Sequence, residues 1–146
     1  MRLNTKMRYG TRAMLELALR YSEGVTSLSE IAASQDVSEK YLEALFAALR
    51  AARLVQSHRG PKGGYVLARP PEQITLRDIF DVLESPEPYV PCTSGSGSCE
   101  RWATCVTQRV WAEMYSASMQ VLASTTLADL VAAEGAQCHP SWSYEI

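Results

Sequence analysis

Three thiols, Cys92, Cys99 and Cys105, stand within fourteen residues in a Cys-x6-Cys-x5-Cys pattern. They follow Pro91 in a stretch rich in glycine and serine. Thiolates are soft ligands that suit iron–sulfur clusters, zinc or copper, and glycines let a loop curl around a centre without Cβ collisions. A closed structural zinc site asks for four ligands, often arranged as Cys-x2-Cys pairs, and that pair spacing is absent. A thiol redox switch asks only for one reactive cysteine and a resolving partner. The spacing therefore leaves three chemistries open: a cluster, zinc, or thiol redox. Cys105 falls at the start of a helical pattern, where aligned amide dipoles favour the thiolate. Conceivable further ligands are Cys138, the two histidines His58 and His139, and the carboxylates Glu16, Glu100 and Glu113, and the sequence ranks none of them.

A second chemistry is carried by cations. Arg59 and Lys62 sit in Arg-Gly-Pro-Lys-Gly-Gly, where closely spaced glycines give them no packing role. Residues 1–69 hold eleven Lys/Arg against six Asp/Glu, a net of +5, and residues 70–146 hold three against ten, a net of −7. That asymmetry is what a polyanion-binding module joined to an acidic partner module shows. Arg2, Lys6, Arg8 and Arg12 crowd the N-terminus, as phosphate contacts or as surface ion pairs. An enzyme is not expected: there is no nucleophile–base motif, no phosphate-cradling glycine loop and no paired catalytic carboxylates. No run of eighteen apolar residues suggests a membrane span, and no apolar signal core follows the first residues. A cytoplasmic location is expected, where disulfides seldom persist.

The elements that position these residues are mostly helical. Met7, Met14, Leu15, Leu17, Ala18 and Tyr21 give a stripe that predicts a helix from about Thr5 to Glu23, ended by Gly24. Ser27-Leu28-Ser29-Glu30 is a capping box opening a short second helix, with a turn at Gln35-Asp36-Val37. Ser38 caps a third helix to about Arg50, with Tyr41, Leu42, Leu45, Phe46 and Leu49 inward and Lys40, Glu43, Ala44, Ala47 and Arg50 outward. The period then changes to strand-like at residues 54–59 and 65–68, a hairpin around the glycine turn. Thr75 starts a fourth helix reaching about Glu84. A long helix runs from about Thr104 to Ala123 with Val106, Val110, Met114, Ala117 and Val121 on one face, extended by Trp111, Ser118 and Leu122. Thr126 caps a short last helix, and the polar tail after Gly135 is expected to be mobile.

The expected fold is therefore mainly α with a small β-hairpin wing: a winged helix-turn-helix domain over residues 1–84, a cysteine-bearing loop at 85–103, a dimerisation helix and short terminal helix at 104–134, and a tail at 135–146. Two short helices joined by a tight turn place the third helix as a recognition helix. Ser38, Lys40, Tyr41 and Glu43 lie at its N-terminal end, where base edges are met; Lys40 suits guanine or phosphate and Glu43 the cytosine amino group. Arg59, Lys62, Gly63 and Gly64 form the wing tip, which enters a narrow groove or touches phosphates.

Met1-Arg2-Leu3, Lys6, Arg8-Tyr9, Tyr41-Leu42-Glu43, Leu45-Phe46 and Arg59-Gly60-Pro61-Lys62-Gly63-Gly64-Tyr65 closely resemble the IscR/NsrR-type family of iron–sulfur-cluster winged-helix transcriptional regulators, over roughly residues 1–135. The resemblance implies a homodimer on double-stranded DNA, with the long C-terminal helix crossing between partners and with Glu43 and Arg59 reaching DNA. It also implies that Cys92, Cys99 and Cys105 ligate a cluster, [2Fe–2S] by the IscR pattern, with [4Fe–4S] open. The IscR pattern places a histidine three residues after the last cysteine, and here that position is Gln108. Members like NsrR use a carboxylate near the N-terminus of the partner, and the matching position is Arg8. The implied function is regulation, with repression the expected sign, of cluster-assembly or stress genes. The alternatives are a nitric-oxide or redox sensor with a [4Fe–4S] cluster and a zinc- or thiol-dependent regulator.

Overall fold

A computed structural model of the chain describes residues 3–84 and 99–136. Its order is α1 (Thr5–Leu19), α2 (Leu28–Gln35), α3 (Glu39–Ala51), β1 (Val55–His58), β2 (Gly64–Leu67), a 3-10 turn (Pro71–Gln73), α4 (Leu76–Leu83), α5 (Val106–Ser124) and α6 (Leu127–Ala136). The fold is mainly helical with a two-stranded antiparallel hairpin, as the sequence predicts. Cys92, Cys138, His139, Met1 and Arg2 lie outside the described residues, as do residues 85–98 of the expected loop and 137–146 of the expected tail; Gly135 and Ala136, expected in that tail, instead end α6.

Caps set the helix starts. The side chains of Asn4, Ser27, Ser38 and Thr75 each accept a backbone amide three residues on. At α2 and α4 the reciprocal carboxylates of Glu30 and Asp78 complete capping boxes, satisfying amides that have no partner inside the helix. Helix α1 ends at Leu19 rather than near Glu23. The chain has to turn early because Thr26 pairs with the wing, and turns at Arg20–Glu23 followed by Gly24 at φ +95° redirect it. Tyr21 thereby leaves the apolar stripe and is 48% exposed.

One core serves the chain. Met14, Leu17, Ile31, Leu42, Phe46, Leu49, Leu54, Ile74, Ile79 and Leu127 are buried together. Helix α1 is central, packing on α2, α3, α4, α6 and β2. At the α1–α4 crossing Gly10 faces Leu83, so closely that a Cβ there would collide with the leucine side chain. The end of the long helix joins this core: the Leu76 amide donates to the Thr125 carbonyl and the Leu127 amide to the Ile74 carbonyl, both at 2.9 Å. Met119 and Leu122 of α5 are buried, while Val106, Val110, Met114 and Val121 are 78%, 50%, 47% and 61% exposed. Of the face expected on α5, Leu122 thus turns into the core, because it packs with Met119 against the rest of the fold, and Val106, Val110, Met114 and Val121 stay uncovered among the described residues.

Candidate nucleic-acid interface and metal centre

Helices α2 and α3 are joined through Asp36 and Val37, with Asp36 in the left-handed region at φ 51°. The Asp36 amide returns to the Ala32 and Ala33 carbonyls, so the turn closes tightly. Helix α3 buries Leu42, Leu45, Phe46 and Leu49. That leaves Ser38, Lys40 and Glu43 exposed on the opposite side and Tyr41 half-buried. Ser38 is the N-cap of α3, its hydroxyl accepting the Tyr41 amide at 3.2 Å. Tyr41 packs edge-on against Tyr9 of α1, ring centroids 6.0 Å apart. Burial, and secondly the nearby Tyr9, push the Tyr41 phenol upward. Its buried hydroxyl has no hydrogen-bond partner among the described residues.

The wing pairs Val55 with Leu67, Gln56 with Val66, Ser57 with Tyr65 and His58 with Gly64. The turn between the strands is closed by the Gly63 amide donating to the Gly60 carbonyl at 2.9 Å, with Gly60 at φ +117°. Arg59 and Lys62 are exposed there. The hairpin is pinned near its turn from an unexpected direction. Thr26 and Tyr65 exchange both backbone hydrogen bonds, at 3.0 and 2.8 Å, and Thr26 is 3% exposed. Gly64 lies against the Thr26 backbone, and Gly63 against the His58 and Gly60 carbonyls. Both glycines are therefore needed for close backbone approach within the wing. Phe46 of α3 packs on Tyr65 with centroids 4.6 Å apart, and the Arg50 guanidinium donates to the Ser57 hydroxyl at 3.3 Å. Helix α3 and the wing are thus packed together as one unit. The sequence carries no local sign of Thr26 or Ser57 in these roles, because each depends on a partner brought near only by the fold.

Two of the three expected ligands are described. Cys99 is exposed; Cys105, half-buried, is the N-cap residue of α5. Between them the chain makes tight turns, Trp102 amide to Cys99 carbonyl at 3.0 Å and Thr104 amide to Arg101 carbonyl at 3.1 Å. The Cys105 thiol is held below its ordinary value, first by the Thr107 hydroxyl 3.2 Å away, then by helix amides, with the Arg101 charge a lesser contributor. A thiol biased toward thiolate at a helix start, with a second thiol one set of turns away, suits a soft metal or cluster. Among the described residues no three His, Cys, Asp or Glu groups converge on a metal position. Cys92 lies outside the described residues. Gln108 lines the same cavity of about 210 Å³ as Cys105, with Trp102 and Arg109.

The Rrf2 family profile, described as iron-dependent transcriptional regulator, matches residues 3–133. The chain belongs to the Rrf2 family of transcriptional regulators. Protein rrf2 of Nitratidesulfovibrio vulgaris is 41% identical over 131 residues, covering 90% of this chain and 87% of that relative. The structure of CymR, described as the global cysteine regulator of B. subtilis, superimposes with a TM-score of 0.77 at 41% identity, covering 91% of this chain and 98% of the other. T. potens IscR gives a TM-score of 0.76 at 38% identity, covering 99% and 95%. Rrf2 members are winged-helix DNA-binding proteins rather than enzymes, and this chain shares their fold. No described helix is long and apolar enough to cross a membrane.

Proposed function

We propose that this Rrf2-family regulator binds an operator as a homodimer in the cytoplasm and is switched by an iron–sulfur cluster held by Cys92, Cys99 and Cys105. The observation that carries the reading is the place of Cys105. It caps α5, the helix whose exposed apolar stripe finds no cover within the described chain. A centre on Cys105 therefore acts on the start of the helix that a second copy would cover. The [2Fe–2S] form follows from likeness to IscR, and [4Fe–4S] accompanies the nitric-oxide-sensing alternative. When bound, the cluster supplies a centre that oxidants, nitric oxide or iron shortage remove.

The chain's own residues do the rest. Ser38, Lys40, Tyr41 and Glu43 enter the major groove on α3, with Glu43 accepting from cytosine. Arg59 and Lys62 reach the adjacent backbone or minor groove, and Gly63 and Gly64 let the wing main chain approach. The segment between residues 84 and 99 is anchored at both ends. Glu84 accepts the Asn4 amide at 2.8 Å and Leu83 packs on Gly10, fixing one end on α1. Its other end runs through Cys99 and Cys105 into α5. Cys92, Cys99 and Cys105 would hold the cluster between α4, which packs on α1, and the start of α5, so ligation there would bear on both helices. It regulates only to the extent that one DNA-binding geometry is favoured over another.

The lowered Cys105 thiol and the likeness to a cysteine regulator favour a second reading, a thiol-dependent regulator without a cluster. Metal analysis separates the two. For DNA binding, Arg59→Ala is expected to weaken binding to an operator recovered by genomic selection and to flatten its salt dependence. Unchanged affinity and slope would count against the wing contact.

A further inference from the structure

The cations of α1 differ in how they are held. Arg20, at its end, lies 2.7 Å from Glu16. Lys6, Arg8 and Arg12 are exposed or half-exposed and meet no described carboxylate within ion-pair distance. Glu16 stands four residues beyond Arg12 and could have paired with it, but it is committed to Arg20. That is the favoured order, since an acid preceding its base by four residues also suits the helix dipole. Arg12 is not left loose, however. Its guanidinium lies over the Tyr9 ring, 5.6 Å from the centroid, and Tyr9 packs edge-on to Tyr41 of the recognition helix. The relay Arg12–Tyr9–Tyr41 presents a pre-positioned, unneutralised guanidinium beside the helix that reads DNA.

We infer that Arg12 is a DNA-backbone contact, a third point of attachment alongside recognition helix and wing, on an α1 edge shared with Arg8 one helical turn earlier. The inference rests on the reading of α3 as the DNA-facing helix. A guanidinium is planar with five fixed donors and suits a phosphate in two-point contact. The aromatic seat restricts its rotamers without neutralising its charge, so less freedom is given up when the phosphate arrives. A surface ion pair would have done the opposite.

The test is the salt dependence of binding to a random-sequence DNA duplex, because a phosphate contact does not depend on operator sequence. Titrations from roughly 50 to 200 mM salt give a log–log slope that changes by about 0.9 for each phosphate the protein ceases to neutralise. Arg12→Ala should bind several-fold more weakly at the low-salt end, with a slope shallower by about that amount per protomer. Arg12→Lys should restore the slope while recovering only part of the affinity. Arg77→Ala, which removes an arginine paired with Asp81 at 2.7 Å, should leave the slope alone. A purely structural role for Arg12 would shift the melting temperature of Arg12→Ala and leave the slope unchanged, and that result overturns the inference. If the wild-type protein itself binds no duplex, the DNA-facing reading of α3 fails instead.

Discussion

Glu43 is the residue where affinity and specificity part. An exposed carboxylate on a helix proposed to read DNA would repel phosphates, and the proposed contact with a base edge is what would offset that cost. Glu43→Ala is expected to lose discrimination at one base pair, about 1–3 kcal/mol, while leaving the salt slope intact. Competition with single-base operator variants measures both; a changed slope with discrimination preserved would refute the assignment. At Gly64 the constraint is steric, because a Cβ would strike the Thr26 backbone, which cannot move without losing its two hydrogen bonds to Tyr65. Gly64→Ala should destabilise the protein by roughly 1–3 kcal/mol in urea unfolding and weaken DNA binding further by unseating the wing. The thiols, the wing cations and the polar end of α3 were legible in the sequence because residue type and local spacing reveal them. The constraints from Thr26, the Arg12–Tyr9 seat and the Arg50–Ser57 bond were not, because each depends on a geometry that only the folded chain supplies.

At the scale of elements, the helix caps and periodicities placed every described helix to within a few residues. The exception was the end of α1, where pairing of Thr26 with the wing overrides the apolar pattern through Tyr21. Helix α6 also shows more than its pattern foretold. It reads as a short terminal helix, yet Leu127 is fully buried beside the α4 start. Leu127→Ala should therefore cost about 2–5 kcal/mol, and thermal unfolding should remain a single transition if α6 belongs to the one core. The cap of α6 adds a pH signature. Asp129 accepts the Thr126 amide and hydroxyl, both at 2.8 Å, which hold its carboxyl below the ordinary range. A carboxyl lowered on folding adds stability above its unfolded pKa and loses it as pH falls through the folded value. Asp129→Asn should lower the melting temperature slightly near neutral pH, and the gap to wild type should close in acid.

For the whole molecule, the acidic half is the informative surprise. Its long helix divides between Met119 and Leu122, buried in the core, and a stripe from Val106 to Val121 that no described residue covers. A stripe of that length on a helix of 19 residues is more than scattered surface apolarity, and a second copy laid across it is the proposed cover. Val110→Asp with Val121→Asp should give a folded monomer by light scattering, with operator binding weakened because two heads no longer act together. A persistent dimer would place the interface elsewhere. Cys105 caps the same helix, so in the proposed switch sensing and assembly share one element. That is the central claim, and the most direct measurement is anaerobic purification followed by a visible spectrum with iron and acid-labile sulfide analysis. The account predicts a coloured protein holding both iron and sulfide, each lost in Cys105→Ser while the helical circular dichroism is retained. A colourless wild-type protein carrying stoichiometric zinc, or no metal at all, would contradict it.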